Sequence, residues 1–238
     1  MHWHRIAAIL GSVACLSGAA AADWAYAQPG QPRSDINSVF LDPEFDVWVA
    51  RFERHGREVY DRRHDIVAAT GVKAGMVVAD IGAGTGLFTR LFATRVGASG
   101  KVYAVDISAP FVHNITRISR AQGQTNVTGV VNSQTGAGLA PQSLDLAFIC
   151  DTYHHFEYPA AMMQSIRAAL KPGGSVVVVD FRRIPGFSSS WVMGHVRADE
   201  AAVIGEIEAS GFRLVERRDF LRTNYFLRFV PVEGGSVR

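Results

Sequence analysis

The sequence predicts an α/β protein with an open, doubly wound sheet, helices on both faces and a terminal hairpin. From about residue 57, short apolar runs alternate with segments of helical periodicity. The runs "LDLAFIC" and "SVVVVDF" are almost wholly apolar, which is typical of parallel strands buried on both faces. The last two strand-like runs are separated only by a short polar turn, which indicates a hairpin.

The first elements follow in chain order. Val59, Ile66 and Val67 share one helical face, and "GVKAG" ends that helix. The next predicted elements are the strand "MVVADI", a helix over "LFTRLFATRV", the strand "KVYAVDI", a helix near 109 to 122 and the strand "NVTGVVN". Strands that alternate with helices in this way predict a mainly parallel sheet.

The second half continues the alternation after the strand "LDLAFIC". Met163, Ile166 and Leu170 follow helical spacing, and "KPGG" is expected to close that helix with a C-cap glycine. The strand "SVVVVDF" follows. The runs "FRLVERRDFL" and "NYFLRFVPV" then predict the terminal hairpin.

Composition limits the class of protein. The chain has 238 residues, of which 48% are hydrophobic and 19% charged, as expected of one globular domain with a sizeable core. The net charge is +2, and acidic residues are interspersed among the basic ones. We therefore expect a small or mixed-charge partner, with no nucleic-acid or anionic-lipid surface.

The amino terminus predicts a signal peptide over residues 1–27. Arg5 precedes 17 largely apolar residues, and "AYA" ending at Ala27 fits a cleavage site. The signal peptide would direct export to the bacterial periplasm. Its cleavage would start the mature chain at Gln28 and leave no stable membrane span. The alternative is an uncleaved membrane anchor. Residues 28–46 are predicted to be a linker or N-terminal arm, followed by one domain over 47–238.

The stretch "ADIGAGTG" predicts a cofactor site. Gly82, Gly84 and Gly86 have the spacing G-x-G-x-G, and Leu87 stands where a dinucleotide fold has its third glycine. The Asp80 carboxylate would repel a pyrophosphate and favour a ligand that carries an ammonium and a sulfonium. The pattern thus favours S-adenosylmethionine over a nicotinamide dinucleotide, while a tight turn without a ligand stays the structural alternative.

Asp106 ends the next strand, 20 residues beyond Gly86. An acid at this place can accept hydrogen bonds from both ribose hydroxyls. Together, the glycine turn and the two acids indicate an adenosyl cofactor.

These residues resemble the class I S-adenosylmethionine-dependent methyltransferases. The matching stretches are "VVADIGAGTG", "VYAVDIS", "LDLAFICDTYHHF" and "LKPGGSVVVVDF". The resemblance implies a Rossmann-like sheet of seven mostly parallel strands with an antiparallel last strand. It also implies that the cofactor lies across the strand ends and contacts the glycine loop, Asp80, Asp106 and its neighbour Ile107.

Two further positions complete the expected cofactor site. Many relatives carry Gly-Asp after the third strand, whereas this chain has Asn132 and Ser133. The side-chain carbonyl of Asn132 can accept the adenine amino hydrogen in place of that acid. Asp151 is expected to hold the methionine end, either directly or through water.

The chain also resembles an exported bacterial subgroup of methyltransferase-like proteins through "RFERHGREVY", "ICDTYHHFEYP", "GHVRA" and "NYFLRF". That resemblance places Arg57 or Glu58 near the cofactor entrance. The alternative for both residues is a solvated helix face.

Candidate catalytic residues follow the fourth strand in "DTYHHFEY". Two adjacent histidines cannot both face one cleft from regular structure, so we predict His154 as a general base and Tyr153 as a substrate-orienting group. The alternative is that His154 and His155 brace the next helix. His195 and Arg197 either face a polar acceptor or begin the following helix. Histidines 55, 64, 154, 155 and 195 lack a recognised ligand spacing, and no metal is predicted.

The combined prediction is S-adenosylmethionine-dependent methyl transfer to a small-molecule acceptor by in-line displacement. The protein then mainly aligns donor and acceptor, which contributes roughly 7 to 11 kcal/mol to lowering the barrier. The alternative is a non-catalytic exported protein that binds an adenosyl compound or another ligand through the same fold. The acceptor atom and the oligomeric state stay open.

Overall fold

A computed structural model gives the structure of residues 36–232. The predicted signal peptide and the first part of the predicted arm, residues 28–35, lie outside the described residues, as do residues 233–238. Among residues 36–232, no helix combines the length and apolar character that a membrane crossing requires.

Within residues 36–232, seven strands form one sheet, and this confirms the predicted fold class. They are β1 (Val77–Ile81), β2 (Lys101–Asp106), β3 (Val127–Val131), β4 (Leu144–Cys150), β5 (Leu170–Phe181), β6 (Phe212–Arg218) and β7 (Asn224–Pro231). Their order across the sheet is β3-β2-β1-β4-β5-β7-β6. The pairs from β3 to β5 are parallel, whereas β7 lies antiparallel to both β5 and β6. The last two strands therefore form the predicted hairpin.

The helices cover both faces of the sheet. They are α1 (Phe45–Phe52), α2 (Glu58–Asp61), α3 (Arg63–Ala69), α4 (Leu87–Val96), α5 (Ala109–Ala121), α6 (Pro159–Ala169), α7 (Ser190–His195) and α8 (Glu200–Ala209). The predicted helix that carries Val59 and Ile66 is interrupted at Arg62, but both side chains are buried as its periodicity requires.

The side chains of the central strands alternate between two cores. In β4, Ala147 and Ile149 join the core on one face, while Leu146 and Phe148 join the core on the other. All four side chains are essentially inaccessible to solvent. A strand with a core on each side needs apolar residues at successive positions, which explains the continuous run in the sequence.

The role predicted for "KPGG" was wrong. Helix α6 ends at Ala169, and Leu170 already has extended backbone and pairs with Leu144 of β4. The register between β4 and β5 shifts between Leu144 and Leu146. A β-carbon at Gly174 would come 3.0 Å from the Leu144 carbonyl oxygen. The glycines thus accommodate an irregularity at the start of β5 instead of capping the helix.

The core that contains Leu146 and Phe148 leads to a prediction about stability. Phe148 is fully buried, and its ring centroid lies 4.9 Å from that of Phe88 and 5.0 Å from that of Phe92. Replacement by alanine leaves a cavity that these rings cannot fill, so Phe148→Ala should lower the free energy of unfolding by about 3 to 5 kcal/mol. Urea denaturation followed by circular dichroism measures this change.

Phe187→Ala is the matched control, because the same truncation is made at a side chain that is 50% exposed. Its effect should stay below about 1 kcal/mol. Equal losses in the two variants would contradict the assignment of Phe148 to the core.

Candidate active site

The carboxyl ends of the parallel strands surround one cavity of about 980 Å³. Its walls come from the loops after the five parallel strands β1 to β5, and from residues 36–58, 186–195 and 222–224. In a doubly wound sheet, ligands bind at this edge, where the crossovers on the two sides of the central strand diverge. The cavity therefore lies where the fold itself predicts a binding site.

The glycine turn after β1 is shaped by left-handed backbone and close contacts. Gly82 has a φ of 71°, and a β-carbon there would collide with the side chain of Thr152. Gly86 has a φ of 79°, begins helix α4 and packs against Ile115 at a distance that excludes a β-carbon. Only glycine meets both demands. The turn brings its backbone to the cavity wall and starts α4 behind it.

Asp80 lies at the end of β1, buried beside Thr89, whose hydroxyl donates to Oδ2 at 2.6 Å. Burial raises the pKa of Asp80 to about 7, and the hydrogen bonds from Thr89 oppose this rise. A carboxyl in this state gains from a nearby positive charge, because that charge offsets the cost of ionisation in a buried place.

Asp106 is held by backbone donors on both oxygens. The amide of Gly84 donates to Oδ2 at 2.8 Å, and the amide of Ser108 donates to Oδ1 at 2.9 Å. Burial raises the pKa of Asp106 to about 6. Each carboxylate oxygen keeps a further lone pair, so a pair of ribose hydroxyls can add to these bonds without displacing them.

Asp151 is tied to two distant segments of the chain. Arg57 donates to its Oδ2 at 2.6 Å, and Asn224 donates to its Oδ1 at 2.6 Å. The neighbouring Glu58 accepts backbone hydrogen bonds from Arg222, at 2.6 Å, and from residues 223 and 224. Both Asp151 oxygens therefore have protein partners already, and a direct bond to a ligand amine would be a third.

Asn132 lies beyond the end of β3, partly buried. Its amide nitrogen donates to the carbonyls of Ser133, at 2.9 Å, and Gly136, at 3.3 Å. These bonds leave the side-chain oxygen as the free acceptor, which is the atom that an adenine amino group requires.

The structure brings most of the predicted cofactor residues together. The predicted residues that line the cavity are Asp80, Gly82, Gly84, Asp106, Ile107, Asn132 and Asp151. Gly86 is not part of the wall, since it starts helix α4 instead. Both Arg57 and Glu58, which the resemblance placed near the entrance, line the cavity.

Tyr153 does not occupy the place predicted for a substrate-orienting group. Its side chain is fully buried and outside the cavity lining, and its hydroxyl donates to Glu206 at 3.1 Å. Arg197 forms two hydrogen bonds of 2.6 Å to the same Glu206 and lies over the Tyr153 ring. Both residues serve the packing of α8 on the sheet, so Arg197 does not face the cavity either.

His154 and His155 both line the cavity, contrary to the expectation that only one of two adjacent histidines can do so. They lie on a short 3-10 turn, Tyr153–His155, and their ring centroids are 4.3 Å apart. The backbone amide of His154 and its Nδ1 both bond to Asp180, with Nδ1 at 2.7 Å from Oδ1. His195, at the end of α7, joins them.

The rings of His155 and His195 are held in an environment that disfavours their protonation. Burial, together with the neighbouring His154 and His195, lowers the pKa of His155 to about 3. Burial and the proximity of His154 also lower the pKa of His195. The imidazoles of His155 and His195 are therefore neutral at physiological pH.

The aromatic part of the cavity wall was not predicted from the sequence. Phe40, from the predicted arm, packs with a centroid distance of 4.7 Å on Trp48 and 5.2 Å on His155. Asn37 donates to the His155 carbonyl at 3.0 Å. The apolar residues in "SVFLDPEFDVWVARF" were the available signal, but a local pattern does not show which surface such residues cover.

Comparison with known proteins identifies the central part of the chain. Residues 78–174 match the model of a family described as "Methyltransferase domain". Over 124 residues the chain is 29% identical to the ubiquinone/menaquinone biosynthesis C-methyltransferase UbiE of Hydrogenovibrio crunogenus, covering 52% of this chain and 48% of that protein. Over 133 residues it is 31% identical to the ubiquinone biosynthesis O-methyltransferase of Xanthomonas campestris, covering 56% and 54%. The chain thus spans about half the length of these two curated relatives.

The same fold occurs in a solved structure. A SAM-dependent methyltransferase from Aquifex aeolicus aligns with a TM-score of 0.70 and 22% identity, covering 77% of this chain and 97% of the other. The family match covers β1 to the start of β5, which includes the glycine turn and Asp106. Residues 78–174 thus match a methyltransferase domain, and the fold around them is shared with a SAM-dependent methyltransferase.

Proposed function

We propose that this protein transfers a methyl group from S-adenosylmethionine to a small-molecule acceptor by in-line displacement. The observation that carries the proposal is one cavity whose wall combines the glycine turn, Asp80 and Asp106. The relatives named above are methyltransferases that act on carbon and on oxygen in quinone biosynthesis, which supports a small-molecule acceptor of either kind.

The donor groups on the cavity wall fit this cofactor. Asn132 offers an amide oxygen for the adenine amino group, and Asp106 offers carboxylate oxygens for the ribose. Asp80 and the Asp151 carboxylate supply negative charge for the sulfonium and the ammonium. When bound, the cofactor supplies an activated methyl group and a neutral leaving group. The glycine turn allows the backbone to come close to it.

The cavity also has room for an acceptor. Ligand pockets commonly measure roughly 300 to 1,000 Å³, and the present cavity of about 980 Å³ stands at the upper end of that range. Its remaining wall contains His154, His155, His195 and aromatic rings. The protein's contribution to the reaction is to hold the acceptor in line with the methyl group and to exclude water.

A binding measurement tests the cofactor site. Asp106→Asn keeps the size of the side chain but removes its charge and puts a donor against the amide of Gly84 or Ser108. We expect the affinity for S-adenosylhomocysteine to fall by roughly 10- to 100-fold, since hydrogen bonds to a charged acceptor contribute about 1.5 to 3 kcal/mol each. Isothermal titration calorimetry of the full chain measures the change.

Asp65→Asn is the control for this experiment, since it removes an exposed carboxylate on α3 that does not line the cavity. Its affinity should equal that of the unmodified chain. The site assignment is wrong if the folded protein binds neither S-adenosylmethionine nor S-adenosylhomocysteine, or if Asp106→Asn binds as tightly as Asp65→Asn.

Methyl transfer itself needs a second readout. We expect the unmodified protein to move radiolabelled methyl from S-adenosylmethionine to a component of a small-molecule extract, and Asp106→Asn to do so at least roughly tenfold more slowly at limiting cofactor. Binding of the cofactor without transfer to any acceptor would instead support the non-catalytic binding protein.

We also propose that residues 1–27 direct export to the periplasm and are removed. The support is the sequence pattern around Arg5 and Ala27. Expression of the full chain in a bacterial host, followed by fractionation and amino-terminal sequencing, should give a periplasmic protein that begins at Gln28. Recovery of an uncleaved chain from the membrane fraction would favour the anchor instead.

A further inference from the structure

Three histidines from two separate segments meet at the cavity wall. His154 and His155 come from the 3-10 turn after β4, and His195 comes from the end of α7, 40 residues further along the chain from His155. One ring nitrogen of each lies within 4.8 Å of one ring nitrogen of the other two. The ring centroid of His195 lies 5.2 Å from that of His154 and 5.0 Å from that of His155.

The distance between two of the nitrogens matches metal coordination. The Nε2 atoms of His155 and His195 are 3.3 Å apart. Two imidazole nitrogens bound to one tetrahedral ion at about 2.0 to 2.1 Å are separated by about 3.3 to 3.4 Å. The two rings therefore already stand at the spacing of two ligands of one ion.

His154 also has the kind of hydrogen-bond partner, a carboxylate, that metal-binding histidines commonly have. Its Nδ1 is bonded to Asp180, 2.7 Å away and almost fully buried, so its Nε2 is the nitrogen left for a ligand bond. A carboxylate that holds the far nitrogen of a histidine fixes the ring and increases its basicity towards a metal. Asp180 would thus be a positioning residue in the outer shell of the site.

The cluster is not satisfied by its own hydrogen bonds. Nδ1 of His155 is buried and has no hydrogen-bond partner within residues 36–232. The contact of 3.3 Å between Nε2 of His155 and Nε2 of His195 can be bridged by at most one proton. Around them, Phe40 packs on His155, and Trp191 stacks on His195 with a centroid distance of 4.5 Å. An apolar shell of this kind holds the imidazole rings in place and limits the access of water to their nitrogens.

From this geometry we propose that His154, His155 and His195 bind one divalent transition-metal ion, with a coordination position open to the cavity. Imidazole ligands suit Zn²⁺ and its neighbours in the first transition row. The described residues add no carboxylate or thiol to the group, and three protein ligands with an open fourth position are typical of catalytic sites.

The open position suggests how the acceptor is held. An acceptor with a hydroxyl or thiol group would bind the ion through its oxygen or sulfur and release its proton to water, because a metal ion lowers the pKa of such a group. This last step rests on the proposed methyl transfer, whereas binding of the ion does not. The metal site and the cofactor site are therefore tested in separate experiments.

Metal binding is tested on the full chain with Co²⁺ as a spectroscopic probe and without an affinity tag that contains histidine. His2 and His4 are replaced by alanine in every protein, so that the amino terminus adds no ligands. We expect one Co²⁺ per chain, the strong visible absorption of a four-coordinate ion, and displacement by Zn²⁺. Addition of 2-mercaptoethanol should add sulfur-to-cobalt charge-transfer absorption, which reports the open position.

His195→Ala is the principal variant, because His195 is only partly buried and truncation at this position spares the core. It should weaken Co²⁺ binding by roughly tenfold or more, and His155→Ala should do the same. His64→Ala, at an exposed histidine on α3, should leave binding unchanged. Melting temperature and S-adenosylhomocysteine affinity, measured without metal, show whether each variant keeps its fold and its cofactor site.

The proposal is overturned if the folded protein binds no stoichiometric Co²⁺ or Zn²⁺, or if His195→Ala binds the ion as tightly as His64→Ala. A bound ion whose spectrum does not respond to the thiol would overturn the open position. Loss of S-adenosylhomocysteine binding with an intact metal site would instead contradict the proposed function alone.

Discussion

The parallel pairing of β1 with both of its neighbours is the constraint on which the site depends. Asp80 stands in register with Ala104 of β2 on one side and with Phe148 of β4 on the other. The chain leaves β1 towards β2 and β3 and later returns to β4 and β5, so the loops after the central strands separate at this point. The crevice between them is the cavity, and β1, β2, β4 and β5 each contribute a carboxylate at or next to their carboxyl ends.

That arrangement gathers four buried acids at one edge of the sheet, namely Asp80, Asp106, Asp151 and Asp180. Burying a carboxylate costs free energy unless it gains hydrogen-bond or charged partners. Each of the four acids has different partners. Thr89 donates to Asp80, backbone amides to Asp106, Arg57 and Asn224 to Asp151, and His154 contacts Asp180. A fold that maintains four such sites side by side is organised for charged or polar ligands.

The sequence predicted what local chemistry determines. Strand β4 and helix α4 coincide with the predicted runs. Burial on two faces and a glycine turn can each be recognised from a few consecutive residues. The glycines of "KPGG" were misread, since their role depends on the register with β4. Contacts such as Arg57 with Asp151, 94 residues apart, and His195 with His155 arise only from tertiary packing. No pattern along the chain encodes them.

The residues of the cavity wall differ in whether they lie inside the region that matches the family model. The family match covers residues 78–174, which hold the glycine turn, Asp106 and Asn132. Phe40, Arg57 and His195 lie outside that region and complete the wall. The part that matches the family model thus holds most of the residues proposed to bind the cofactor. In the proposed reaction the acceptor meets a wall that Phe40 and His195 complete together with His154 and His155. Its chemistry therefore has to be derived from these histidines and aromatic rings.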